Sequence, residues 1–134
     1  AMAEAGLGDR YVAQLTPWRT MLDRGLTTFA EEPDPTRSDS HAWSAHPNYN
    51  LLAITAGIRP ASPGFRTVRI APALGPLDHV EASVPHPDGT ISVDLERSDA
   101  GIRGTVTLPD GVSGTFAWNG STVALGAGTH SIDL

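Results

Sequence analysis

The chain has no cysteine and no lysine among its 134 residues. Without cysteine it can form no disulfide and offer no thiolate to a metal, so it says nothing about redox compartment. Without lysine, all nine cationic side chains are arginines, a usage that fits G+C-rich codons rather than any function. Fifteen aspartates and glutamates outweigh them, for a net charge of −6. That sign argues against sequence-independent binding to nucleic acid or to an anionic membrane, both of which need a basic surface. Aromatic residues are scarce, and no apolar run approaches the roughly 20 residues of a membrane-spanning helix. No secretory signal is legible; Ala1-Met2 reads as a cloning scar or an internal start, so a targeting segment upstream would not be seen.

What is present falls into two parts with different periods. From Asp9 to Gly25, the residues Tyr11, Leu15, Trp18 and Leu22 recur at i, i+4, i+7 and i+11, one helical stripe. Thr16-Pro17 fits an N-cap followed by proline at the first helical position, giving two short helices or one kinked one. Gly25 suits the helix end. A polar stretch from Thr27 to Ser40 follows, broken by Pro33, Asp34 and Pro35, with Asp34 expected in turn chemistry. A second helix is expected from Ser38–Ser40, capped by Asp39 or Ser40, resuming after Pro47. Tyr49, Leu51, Leu52, Ala53, Ile54 and Ala56 leave it almost no polar face, which predicts burial on all sides. Gly57 and Pro60 should end it.

After Pro63 the period becomes two. Strands are predicted at 65–70, 80–84, 91–96, 102–108, 114–118, 122–125 and 129–134, separated by turn signals such as Asp88-Gly89, Ala100-Gly101 and Asp110-Gly111. Asn119-Gly120 is the strongest two-residue hairpin signal. Short strands at this spacing predict an antiparallel sandwich. The fold class is therefore α+β: a helical segment of two or three helices over 1–62, then a β-sandwich of about seven strands over 63–134.

The chemistry-bearing residues concentrate in the first part. Taken alone, Glu31 and Glu32 read as a solvated acidic loop. His41 and Trp43 read as packing residues of a first helical turn. Arg37 and Asp39 suggest a local ion pair or a helix cap. His41 and His46 stand at i, i+5, share no helical face and lack the HExxH pattern, so no metal site is predicted. Ser38 and Ser44 have no nucleophile-elbow context. Asn119-Gly120-Ser121 matches a glycosylation sequon, but a hairpin turn explains it fully. Trp118 alternates within a strand as core, and with Phe65 and Phe116 it completes the aromatics of the sandwich half, weak material for a carbohydrate-binding face.

An ordered succession of motifs runs from Pro17-Trp18-Arg19 and Met21-Leu22 through Gly25-Leu26-Thr27-Thr28-Phe29-Ala30-Glu31 to Ser38-Asp39-Ser40-His41-Ala42-Trp43-Ser44-Ala45 and Pro47. It continues with Gly57-Ile58-Arg59-Pro60, Pro63-Gly64-Phe65 and Ile70-Ala71-Pro72-Ala73-Leu74-Gly75. This succession resembles the C-terminal end of bacterial α-L-rhamnosidases, glycoside hydrolase family 78, over nearly half the chain. The resemblance implies the last helices of an (α/α)6 barrel followed by a C-terminal β-sandwich. It also implies an inverting hydrolase that releases terminal L-rhamnose. By motif position Glu31 matches the general base, with His41 and Trp43 as sugar contacts; Phe29-Ala30-Glu31 departs from the commoner form with Trp before the Glu. The general acid would belong to an upstream part of the barrel, so the chain alone is expected to be inactive. A rhamnosylated glycoside or glycan is the implied partner, with no cofactor, no nucleic acid and no membrane. The alternatives are a non-catalytic carbohydrate-binding module and a structural domain dimerising through its exposed helical faces. The source would be bacterial, the compartment cytoplasmic or extracellular.

Overall fold

The computed structural model describes residues 1–32 and 35–134; the turn expected at Pro33 and Asp34 lies outside them. Two three-ten turns, Gly8–Arg10 and Val12–Leu15, lead into helix α1, Thr16–Asp23. Pro17 occupies its first turn, where a missing N–H deprives no carbonyl of a partner. Thr16 is not the expected N-cap, because its backbone is already helical and its hydroxyl donates back to the Ala13 carbonyl at 3.5 Å. Three-ten turns advance by three residues rather than 3.6, so the predicted stripe slips out of phase. Tyr11 is buried, Leu22 is left 71% exposed, and Met21 takes the inward position instead. The helix closes as Gly25 N–H reaches the Leu22 carbonyl at 2.8 Å and Leu26 N–H reaches Met21 at 3.0 Å.

The second helical unit starts at Ala42, later than expected. His41 before it is extended, and neither Asp39 nor Ser40 caps it. It passes from a three-ten turn, Ala42–Ala45, through α2, His46–Asn50, into a π-helical turn, Leu51–Thr55. Nor is it buried on all sides. Ala53, Thr55 and Ala56 point inward, whereas Tyr49 is 65% exposed. The unit packs through its π turn against the edge strands of the two sheets and the three-ten turn Gly8–Arg10, which leaves Tyr49 in solvent.

Those sheets contain eight strands: β1 Ile58–Pro60, β2 Thr67–Ile70, β3 His79–His86, β4 Gly89–Ser98, β5 Gly101–Leu108, β6 Ser113–Trp118, β7 Ser121–Leu125 and β8 Gly128–Asp133. One sheet has the order β1-β2-β6-β7, the other β3-β4-β5-β8. The strand not foreseen is β1. The strand expected from Phe65 begins at Thr67, because Pro63–Phe65 form a tight turn with Gly64 and Phe65 both at positive φ. The pairings are antiparallel except β2 with β6, which run parallel from Thr67↔Ser113 to Ile70↔Phe116. Asn119 and Gly120 form the β6–β7 turn with φ of 44° and 85°, the mirror-image geometry that two-residue hairpins favour.

Alternation decides which face turns inward. Ile91, Val93 and Leu95 of β4 and Ile102, Val106 and Leu108 of β5 meet Val68, Ile70, Phe116 and Leu125 of the facing sheet. Each such side chain contributes about 1.5–3 kcal/mol on full burial. Trp118 packs half-buried at the edge of this core, as its alternation predicts.

The helical unit is joined to the sandwich at Gly57 (φ 74°). The Ala71 N–H donates to the Gly57 carbonyl at 3.1 Å, and the Ala73 N–H is shared between the carbonyls of Ile54 and Thr55 at 3.1 and 3.2 Å. The segment leaving β2 thus satisfies carbonyls that the helix end would otherwise leave without donors.

Candidate active site

The polar stretch between the two helical units folds back on itself as an irregular hairpin. Glu31 N–H donates to the Ser38 carbonyl at 2.8 Å, and His41 N–H donates to the Phe29 carbonyl at 2.6 Å. Proline and short polar residues favour such a reversal over a helix. The Thr28 hydroxyl closes the base of the hairpin on the Asp39 carbonyl.

The Glu31 backbone is held from a second direction by the helix that follows. Its carbonyl accepts the indole N–H of Trp43 at 3.4 Å and the hydroxyl of Ser44 at 3.5 Å. Ser44 is one of two buried polar residues among those described, and its own carbonyl accepts the Trp18 indole N–H at 2.7 Å. Trp18 meets His46 edge to face at 4.8 Å between ring centroids. The hairpin and the three-ten turn Ala42–Ala45 therefore hold Glu31, and α1 braces that turn through Trp18.

Among the described residues the Glu31 carboxylate has one cationic partner, and it is not the arrangement read from sequence. Arg37, expected beside Asp39, instead grips Glu31 through two hydrogen bonds, Nε to Oε2 at 3.1 Å and Nη2 to Oε1. The Glu31 side chain is 5% exposed and that of Arg37 80%. The carboxylate lies under the guanidinium, which stays in solvent. The hydrogen bond to Glu31, reinforced by its charge, raises the Arg37 guanidinium above its ordinary value.

The three site residues expected from sequence come together here. The His41 and Trp43 rings lie 4.1 Å apart between centroids, tilted by 45°. Trp43 is 64% exposed, with its indole N–H on the Glu31 carbonyl. Among the described residues the buried His41 Nδ1 has no hydrogen-bond partner. Glu32 is exposed, and its charge acts on Arg37 alongside that of Glu31. Next to the hairpin, α1 and α2 enclose a cavity of about 410 Å³ walled by Trp18, Leu22, Phe29, Pro47 and Leu51. Sequence reasoning missed Arg37 as the partner of Glu31 and Ser44 as its backbone anchor. The only signal was an opposite charge six residues along. Among the described residues no group of three His, Asp or Glu is placed to hold a metal ion.

Comparison with known proteins places the fold. Residues 57–133 match the family described as bacterial alpha-L-rhamnosidase C-terminal domain. The chain is 36% identical over 61 residues to an alpha-L-rhamnosidase of Alteromonas sp. (strain LOR), a stretch that covers 45% of this chain and 7% of that protein. It is similar to the GH78 family rhamnosidase of Bacillus sp. GL1, with a TM-score of 0.75 and 30% identity over 87% of this chain and 14% of the other. The alpha-L-rhamnosidase of Streptomyces avermitilis, solved with L-rhamnose, shares the fold at a TM-score of 0.74 and 21% identity, over 87% of this chain and 15% of that one. The chain thus spans a small fraction of the length of each of these relatives. The matched region takes in both sheets and more than half of the residues, and the chain belongs to the bacterial alpha-L-rhamnosidase C-terminal domain family.

Proposed function

We propose that this chain is the C-terminal part of an inverting α-L-rhamnosidase. In this reading the helical segment up to Gly57 completes the catalytic barrel and the strands from Ile58 onward form the sandwich that follows it. Inversion needs two carboxyl groups on opposite faces of the sugar, roughly 6.5–9.5 Å apart, one protonating the leaving oxygen and one activating water. Glu31 is the second of these. Its carboxylate removes a proton from the water that attacks the anomeric carbon, while an acid outside this chain protonates the aglycone oxygen. His41 and Trp43 hold the rhamnose, the imidazole by a hydroxyl and the indole by a ring face.

The observation that carries this reading is the placement of Glu31. Its nearly buried carboxylate and fixed backbone lie beside an exposed indole, in a chain that aligns with only 14–15% of whole rhamnosidases. One carboxylate without its acid cannot do paired work, so the chain alone is inactive. Hydrolysis of an aryl α-L-rhamnoside, followed for this chain and for a protein extended upstream through the barrel, tests the proposal. Turnover by the longer protein alone is expected. Turnover by neither, or by the short chain, would overturn it. The acidic surface argues against nucleic acid and membranes as partners.

A second reading rests on Leu22, Tyr49 and Leu51, which stand exposed on the helical face. In the absence of a barrel they support a homodimer through that face, and a sedimentation profile that stays monomeric at micromolar concentration would dismiss it.

A further inference from the structure

We propose that Arg37 is the positioning residue of the Glu31 carboxylate, an inference that rests on the reading of Glu31 as general base. A base that activates water has to be ionised and aimed. Burial bears on the first requirement, because a charge withdrawn from water needs a partner. Free rotation about the side-chain bonds opposes the second.

The hairpin leaves only those two matters open at Glu31. Its N–H is taken by Ser38 at 2.8 Å, and its carbonyl by Trp43 and Ser44 at 3.4 and 3.5 Å, so the backbone is tethered from both sides. What remains is the carboxylate, and Arg37 takes one lone pair of each oxygen with the Nε–Nη2 edge of its guanidinium. A carboxylate offers about four lone-pair sites, so two stay free for water. A paired grip of this kind fixes the plane of the carboxylate as well as its charge.

Arg37 is itself presented from a stiff support. The Thr36 hydroxyl donates to the Ser38 carbonyl at 2.7 Å and accepts the Ser38 N–H at 3.2 Å, closing a tight bridge around Arg37. The side chain is 80% exposed. A residue that served packing would bury its stem; this one spends its contacts on Glu31.

The test uses the longer enzyme with Arg37→Gln, Arg37→Lys, Glu31→Gln and the double variant Glu31→Gln/Arg37→Gln, each checked for an unchanged melting profile. Arg37→Gln is expected to lower kcat roughly ten- to hundredfold, the scale of a misplaced catalytic group. KM should move less than about threefold, since no ground-state contact is lost. Arg37→Lys should restore part of kcat. In the Glu31→Gln background the second substitution should cost nothing further, because both act on one group. A rise in KM with kcat unchanged would make Arg37 a substrate contact, and an equal loss in both backgrounds would make it independent of Glu31; either result overturns the proposal. Should Glu31→Gln alone retain near-normal activity, the base assignment fails separately. The pairing is then decided on the 134-residue chain by NMR. The Arg37 Nε–H should exchange slowly with water in the unmodified chain and rapidly in Glu31→Gln, and rapid exchange in both overturns it.

Discussion

Trp18 of α1 donates its indole N–H to the carbonyl of Ser44, 2.7 Å away and 26 residues along the chain. Ser44 in turn holds the Glu31 carbonyl through its hydroxyl. The candidate site is therefore braced by a bond between two helical units that touch the sandwich only at its edges.

Replacing Trp18 by Phe keeps most of the ring and removes the donor, leaving a buried carbonyl without a partner. The expected cost is about 1–3 kcal/mol, read as a lower urea midpoint. Trp18→Ala, which also opens the helix contact, should cost more. An unchanged midpoint in Trp18→Phe would show that water replaces the bond.

Glu31→Gln is nearly isosteric and abolishes the base. In the longer enzyme it should lower kcat on an aryl α-L-rhamnoside by roughly two to four orders of magnitude, with the fold intact by circular dichroism. Activity near that of the unmodified enzyme would remove Glu31 from the mechanism.

Two glycines with positive φ separate strain from space. Gly120 (φ 85°) has nothing within 4 Å of where a Cβ would stand, so Gly120→Ala should cost only the conformational penalty, about 1–2 kcal/mol. Gly57 (φ 74°) would drive a Cβ to 2.2 Å from the Ala71 carbonyl carbon. Gly57→Ala adds that collision to the same penalty and should be the more damaging of the two by calorimetry. Equal melting temperatures would mean that the junction between helices and sandwich is slack.

Burial raises the Tyr11 phenol above its ordinary 10.0. The folded state favours the neutral form, so this contribution is complete below the unfolded value and is lost as pH climbs through the folded one. Stability should fall from about pH 10 upward by a component that Tyr11→Phe removes. Urea midpoints compared between neutral and alkaline buffer, with and without the hydroxyl, check the sign. A fall of the same size in Tyr11→Phe would assign it elsewhere.

The sandwich was legible because alternation is a local property. Ile91, Val93 and Leu95 announce their buried face without reference to any partner, and Asn119-Gly120 announces its turn by itself. What alternation cannot carry is pairing. Ile58-Arg59-Pro60 is too short to show a period and lies where a helix was expected to end, yet it pairs with Arg69 and its neighbours as an edge strand. The parallel register of β2 with β6 depends on two crossings between sheets that no local pattern records. The helical part failed differently. Counting at 3.6 residues per turn assumes one continuous helix, whereas the chain winds as three-ten, α and π in succession, so Leu22 and Tyr49 came out on the wrong faces. At the site, the residue types and their cluster were legible, as Glu31, His41 and Trp43 lie together. The partner of Glu31 was not, because the reversal that brings Arg37 to it is fixed by contacts with Ser38, Trp43 and Ser44 from both sides of the loop.

The parallel seam between Thr67–Ile70 and Ser113–Trp118 has a consequence for how the chain comes into being. Everything from β3 to β5 is synthesised between its two sides and belongs to the other sheet. While the chain emerges from the ribosome, the antiparallel meander can form early, but β1 and β2 have no neighbour beyond each other until β6 has been made. The helical unit, which rests on β1, has no complete platform until then. The braced geometry around Glu31, encoded in the first third of the sequence, is thus among the last features to be secured. A chain that stops short of Trp118 would carry every residue of the candidate site and have no floor to set it on.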